Sequence, residues 1–174
     1  MDEVKECFVH LWDKAAYQCN ILKNEIEKRY PYLTIMPGHG ALDADEHSKK
    51  DEQPGAPDLY IYFNQHLVCA IEVTGSDKVI PWNVWLGAHK IAFARQQKYP
   101  IGFFLFFGKQ NDVRLFASMA ELENVLESPQ IKNIRGLNFE YHVLDRIYFK
   151  DEMGFWDWLK WTIECRLSEV GVEI

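Results

Sequence analysis

Residues 57–74, PDLYIYFNQHLVCAIEVT, carry an acid near each outer end, Asp58 and Glu72. Asn64-Gln65-His66 separates two β-prone runs, so the stretch reads as a hairpin. With a three-residue loop at those positions, Phe63 pairs with Leu67 and Asp58 falls opposite Glu72. Directly opposed side chains share one face, with Cβ atoms about 4.5–5.5 Å apart. Two carboxylates that close repel each other unless a proton or a cation lies between them. A hard divalent ion such as Mg²⁺ accepts one or two carboxylates plus waters and phosphate oxygens, and suits such a pair. Without the cation, removal of either acid is expected to leave the fold intact or slightly more stable. A two-residue loop would shift the register by one and leave the acids diagonal.

The charge around this hairpin is uneven. The chain of 174 residues has a formal net charge of −7, which argues against a passive coat on nucleic acid, because phosphate binding rests on cationic surface. From Lys78 through Asn111, however, there is no acid, and Lys78, Lys90, Arg95, Lys98 and Lys109 all fall there. Gln97 and Tyr99 sit among them at the end of an expected helix, placed either to touch a phosphate backbone or to cap and cover the surface.

The elements that position these residues follow from periodicity. Residues 2–29 read as one long helix with Val4, Phe8, Leu11, Ala15, Cys19, Leu22 and Ile26 as its apolar stripe. Pro31 ends it, and a short strand is expected at Leu33–Met36. The polar stretch PGHGALDADEHSKKDEQPGAP reads as a long loop. A helix is expected from Trp82 to about Lys98, with Trp85, Ala88, Ala92 and Arg95 along one side. Ile101–Phe107, a continuous apolar run, reads as a central strand buried on both faces. A strand at 113–117, a short helix at 119–127 and a last strand at 138–149 follow. Residues 151–168 form a helix apolar around most of its circumference, with Asp157, Lys160, Glu164 and Ser168 as a narrow polar stripe. The order predicts an α/β chain, a mixed sheet flanked by helices, in one domain over 1–174.

Other chemistries find little support. The four cysteines are scattered, with no Cys-x-x-Cys pair, and the six histidines include neither His-x-His nor a HExxH helix. Asp43, Asp45, Glu46 and His47 lack the glycine and terminal glutamate of a calcium loop. Gly75-Ser76-Asp77-Lys78 lacks the leading glycine of a phosphate-binding loop. Gly38-His39-Gly40 would place an imidazole beside a phosphate or form a simple turn. No apolar run reaches membrane-span length, and the N-terminus lacks a signal-like core, so a soluble, cytoplasmic protein is expected.

Pro57-Asp58, the intervening hairpin and Glu72-Val73-Thr74 together resemble the core motif of the PD-(D/E)XK nuclease superfamily, across roughly residues 20–118. The resemblance implies a restriction endonuclease-like fold and a metal-dependent endonuclease hydrolysing DNA with Mg²⁺ or Mn²⁺. By the family's roles, Asp58 and Glu72 are metal ligands, the main-chain carbonyl of Val73 is a third, and a glutamate of the first helix completes the site. Glu25 is the first choice for that glutamate and Glu27 the second. The family places a lysine where this chain has Thr74, and a threonine hydroxyl cannot carry a lysine's charge. Lys78 or Lys90 is then expected to replace it. Lys78, Lys90, Arg95, Lys98 and His39 are the residues expected to touch nucleic acid. The alternative is a catalytically inactive nucleic-acid-binding or protein-interaction domain on the same fold. Phe155, Trp156, Trp158 and Trp161 spread around more of the last helix than one core face covers, which predicts a homodimer through 151–168.

Overall fold

The computed structural model describes residues 2–38, 55–76, 82–134, 137–169 and 171. Helix α1 spans Asp2–Arg29, and Cys19, Leu22 and Ile26 of its stripe are fully buried, as their spacing demands. Strand β1 (Thr34–Pro37) follows, and the hairpin is β2 (Leu59–Phe63) and β3 (His66–Ser76). Its loop differs from expectation. Asn64 and Gln65 alone make the turn, with φ of 44° and 73°, the left-handed pair that suits a two-residue hairpin, and Phe63 pairs with His66. The register then shifts between Ile61 and Tyr62, so that Leu59 pairs with Ile71. This bulge adds back the residue that the shorter loop removed. The outer ends of the strands therefore meet in the register that a three-residue loop would have set.

The helix expected at 82–98 is a strand followed by a shorter helix, β4 (Asn83–Gly87) and α2 (Ala88–Arg95). Val84 and Leu86 are buried while Trp85 is not, a period of two that the helical reading passed over. Ile91, Phe93 and Ala94 are the buried residues of α2. The stripe read from Trp85, Ala92 and Arg95 lies on the outside.

Strand β5 (Ile101–Phe107) is buried at every position and is followed by β6 (Val113–Ser118). The short helix α3 (Met119–Leu122) opens with a capping box between Ser118 and Glu121. It stops well before residue 127. Strands β7 (Gln130–Ile134) and β8 (Leu137–Asp145), a single 3₁₀ turn at Arg146–Tyr148, β9 (Lys150–Asp151) and α4 (Glu152–Glu169) complete the chain. The expected strand at 138–149 is thus β8 and a turn, and β7 had no counterpart in the reading of the sequence.

The main sheet has six strands in the order β1-β2-β3-β5-β6-β9. Only the β3–β5 pair is parallel, so the sheet is mixed, as expected. A second, antiparallel sheet of three strands, β4-β8-β7, was not expected. Strand β5 explains the two-sided burial: Phe104 and Phe106 pack with α1 and α4 on one face. Phe103, Leu105 and Phe107 pack with α2, β4 and β8 on the other.

Helix α4 finds most of its cover within this chain. Phe155 and Trp156 are buried, and the Trp158 ring lies 5.0 Å from Phe116. Trp161 is 61% exposed, so one of the four aromatic residues is left for a contact outside this chain. Among the described residues, no helix is long and apolar enough to cross a membrane.

The turn gives a direct check on the hairpin. Glycine tolerates positive φ where glutamine is strained, so Gln65→Gly is expected to raise unfolding stability by about 0.5–1 kcal/mol. Urea denaturation would measure it, and a lower midpoint with unchanged slope would contradict the two-residue turn.

Candidate active site

Asp58 immediately precedes β2, and hydrogen bonds to three neighbouring backbone groups help to fix it. Its N–H donates to the Ile71 carbonyl at 3.1 Å, and its own carbonyl accepts the Gly38 N–H at 2.6 Å. Its Oδ2 accepts the Val73 N–H at 2.6 Å. The main-chain pairing therefore runs one residue beyond β2 on both sides. Gly38 can approach this closely because a Cβ there would collide with the Pro57 carbonyl. Strand alternation puts Glu72, Thr74 and Ser76 on one face of β3 together with Ala70, which belongs to the core on the α2 side. The N–H and carbonyl of one strand residue point the same way. The Val73 carbonyl thus opens toward Asp58, past the last β2–β3 pair.

Both acids are buried, Asp58 at 4% and Glu72 at 2% exposure. Lys90 Nζ donates to Glu72 Oε1, and Glu72 Oε2 is buried without a hydrogen-bond partner among the described residues. A buried acceptor left unsatisfied costs about 1–3 kcal/mol, and more when it is charged. Lys90 stands in the first turn of α2, which contains no acid, at the helix end whose dipole disfavours a cation. Its partner Glu72 is the compensating interaction. Thr74 lies two residues along the same face, paired with Leu105 of β5. Of the two lysines expected to replace the motif lysine, Lys90 reaches Glu72. Lys78 and His39 lie outside the described residues.

Glu25, expected to complete the site from α1, is engaged elsewhere. Arg114 Nη1 donates to Glu25 Oε2 at 2.8 Å and Nη2 to Oε1 at 3.0 Å, while Nη1 also reaches Glu152 Oε1 at 3.0 Å. Burial works against the Arg114 cation, but the hydrogen bonds and charges of Glu25 and Glu152 outweigh it and raise the Arg114 pKa. Glu25 is thus part of a clamp joining α1, β6 and α4. Glu27, the second choice, faces Lys23 at 3.8 Å. Among the described residues, no three His, Cys, Asp or Glu side chains gather as a metal cluster. The α1 residue coupled to Asp58 and Lys90 is Cys19. Burial raises its thiol pKa most, Asp58 raises it further, and Lys90 partly offsets both. Sequence reasoning placed Cys19 in the apolar stripe, and a stripe cysteine carries no signal of a nearby charge.

The basic segment is partly neutralised. Arg95 Nε donates to Glu123 at 3.0 and 3.2 Å, an exposed pair that removes one expected phosphate contact from free supply. Lys98 is exposed. Gln97 bonds back to the Phe93 carbonyl at 3.3 Å, the capping role.

The donors present suit a hard divalent cation. Asp58 and Glu72 are buried carboxylates on one sheet end, Glu72 Oε2 lacks a partner among the described residues, and the Val73 carbonyl points, with its N–H, to the Asp58 side. Two carboxylates with oxygen from waters and phosphate match the Mg²⁺ preference, and no third carboxylate is needed.

Comparison with known proteins bears on the fold. No protein-family model matches the chain, and no curated protein matches it. Among solved structures, it is similar to a nuclease from a fusellovirus, with a TM-score of 0.50 and 14% identity, covering 85% of this chain and 89% of that one. It is also similar to a Holliday junction resolvase from Archaeoglobus fulgidus, with a TM-score of 0.47 and 12% identity, covering 82% and 94%. The chain has the restriction endonuclease-like fold, a mixed sheet flanked by helices. The resemblance carried by Pro57-Asp58 and Glu72-Val73-Thr74 holds at the level of that fold.

The two roles of Glu25 separate experimentally. As a clamp residue, Glu25→Gln is expected to lower stability by about 1–3 kcal/mol and to leave Mn²⁺ affinity, measured by calorimetry, unchanged. A variant with native stability and weakened Mn²⁺ binding would return Glu25 to the metal site.

Proposed function

We propose that the chain is a metal-dependent endonuclease that hydrolyses DNA phosphodiester bonds at Asp58 and Glu72. The observation that carries this reading is Glu72: a buried carboxylate with Lys90 on one oxygen and, among the described residues, no partner on the other, next to Val73, whose N–H is bound by the buried Asp58. Asp58, Glu72 and the Val73 carbonyl would hold Mg²⁺ or Mn²⁺, which when bound polarises the scissile phosphate and lowers the pKa of a coordinated water. Asp58 holds its orientation through the Val73 N–H, so the ligand is set before substrate arrives. Lys90, as a hydrogen-bonded cation, offsets the negative charge that develops on the phosphate oxygens. It does so from a helix, on the face where the family's lysine would project from β3. The Thr74 hydroxyl can orient the attacking water by hydrogen bonding but carries no charge. Lys98, with Arg95 once freed from Glu123, would hold the flanking phosphates. One chain suffices for this chemistry. A dimer would set two such sites against two strands, with Trp161 as the α4 contact.

A second reading is favoured by the Lys90–Glu72 pair itself. The ion pair neutralises the buried carboxylate without a metal, as it would in a binding domain that has lost catalysis along with the lysine at position 74.

Supercoiled plasmid incubated with Mg²⁺ or Mn²⁺, then with chelator, separates the two. The endonuclease reading expects metal-dependent nicking that Glu72→Gln and Asp58→Asn abolish. Undiminished cutting by either variant would falsify the site. Lys90→Ala is expected to lower turnover about a hundredfold with little change in KM. Lys98→Ala should weaken binding and flatten its salt dependence at unchanged turnover. DNA binding with no cutting in either metal would select the inactive domain.

The same variants differ in stability. Like-charge relief was expected for both acids, but Asp58 accepts a buried N–H. Asp58→Ala should therefore cost about 1–3 kcal/mol. Glu72→Gln should change stability by less than about 1 kcal/mol, because Lys90 is part-exposed and can turn to water. Thermal or urea unfolding in chelator would rank them.

A further inference from the structure

In the three-stranded sheet, β4 and the adjoining end of β8 turn one face into the core and one face out. Val84, Leu86 and Leu144 are buried on the first. By register, Trp85 faces Val143, Gly87 faces Tyr141, and Lys132 faces Phe139 on the second. Trp85 is 46% exposed and Phe139 37%. The Trp85 and Tyr141 rings lie 5.9 Å apart, those of Phe139 and Tyr141 6.4 Å. Lys132 Nζ sits 5.2 Å from the Trp85 ring centre, a cation over an aromatic face. Asp145, at the far end of this face, is occupied in capping the next turn through the Ile147 N–H.

This surface extends to the start of α2, the helix that carries Lys90. An open groove lined by His89, Asn138, Phe139, Glu140 and Tyr141 runs from β8 to the start of α2. The His89 ring fills the space over Gly87, where a Cβ would meet it, and extends the row of rings onto α2. The next residue is Lys90, the partner of Glu72.

We propose that the outer face of β4-β8-β7 is a stacking platform for the unpaired bases of a nucleic-acid strand, with Trp85, Tyr141 and Phe139 as the stacking rings and Lys132 as a phosphate contact. The inference rests on the endonuclease reading for its substrate, and names that substrate as one with a single-stranded portion beside the cut. Tilted aromatic rings with an interleaved cation match base stacking. A duplex presents phosphates and calls for many cations, whereas this face offers Lys132 amid aromatic rings and Glu140 borders the groove. A second copy of the chain would fit less well, since lysine is depleted from the cores of protein interfaces and the Lys132 ammonium, reaching in from the edge strand β7, lies over the Trp85 ring.

Equilibrium binding by fluorescence anisotropy, in chelator, with labelled oligothymidylate and with a hairpin duplex of equal length, tests the platform. Trp85→Ala and Phe139→Ala are each expected to weaken oligothymidylate binding by about ten- to a hundredfold while leaving duplex binding and the circular dichroism spectrum unchanged. Lys132→Ala is expected to lower the salt slope by about one. Native single-strand affinity in both aromatic variants, or equal losses on duplex and single strand, would overturn the proposal. So would light scattering in which the native chain is dimeric and Trp85→Ala is not, since that surface would then be occupied by a second copy. Cleavage is read separately. Oligothymidylate bound through Trp85 with no cutting in Mg²⁺ or Mn²⁺ upholds the platform and overturns only the endonuclease reading. Metal-dependent cutting with unaltered binding by Trp85→Ala overturns the platform alone.

Discussion

A carboxylate buried at 2% exposure must be compensated, and the arrangement around Glu72 is organised by that requirement. It lies on β3 one residue past the last β2 pair, and its backbone is held by the parallel ladder to β5, where it pairs with Phe103. One oxygen is met by Lys90. The other is unmet among the described residues, and an unmet charged acceptor in a core persists only where something offsets it. Asp58 shares the same sheet end but solves its burial differently, by accepting a main-chain N–H. Two acids with different kinds of compensation, one held by a main-chain N–H and one by a lysine, form an asymmetric pair. Asp58 is pre-oriented by the backbone, and Glu72 is available.

That asymmetry depends on the hairpin being assembled in one register. A two-residue turn without the bulge would have put Asp58 diagonal to Glu72, and the left-handed pair Asn64-Gln65 makes such a turn. The irregularity at Ile61/Tyr62 restores the alignment. Strand β5 then supplies the rigid backing, because its seven buried residues lock β3 between two separate hydrophobic layers.

The legible parts of the fold were those with a strong single period or a continuous apolar run: α1, β5, α4 and the outer hairpin. The meeting of Asp58 and Glu72 at one end of the hairpin was legible from the matching positions of the two acids. What escaped was set by tertiary context. Val84-Trp85-Leu86 is short enough for period two and period 3.6 to coexist, and pairing with β8 decided it. Strand β7, QIKNI, has too few strongly β-prone residues to announce itself. Glu25 and Cys19 lie on the same helix, and only the packing angle of α1 determined that the acid meets Arg114 while the thiol meets the field of Asp58. The four aromatic residues of α4 were read as too many for one chain to cover, yet Phe104 and Phe116 reach toward Phe155 and Trp158 and cover most of them.

Delivery of Lys90 from α2 rather than from the strand beside Glu72 changes what holds its position. A side chain on β3 would be placed by main-chain hydrogen bonds, which tolerate changes in the residues around them. Lys90 is placed by the seating of Ile91, Phe93 and Ala94 against the layer formed by Phe103, Leu105 and Phe107, and close-packed interiors transmit small volume changes as displacements. Evolutionary drift in those apolar residues would therefore be constrained by the geometry at Glu72 before it was constrained by folding. Heating that loosens the helix-to-sheet contact would separate the ion pair while the sheet itself remained intact.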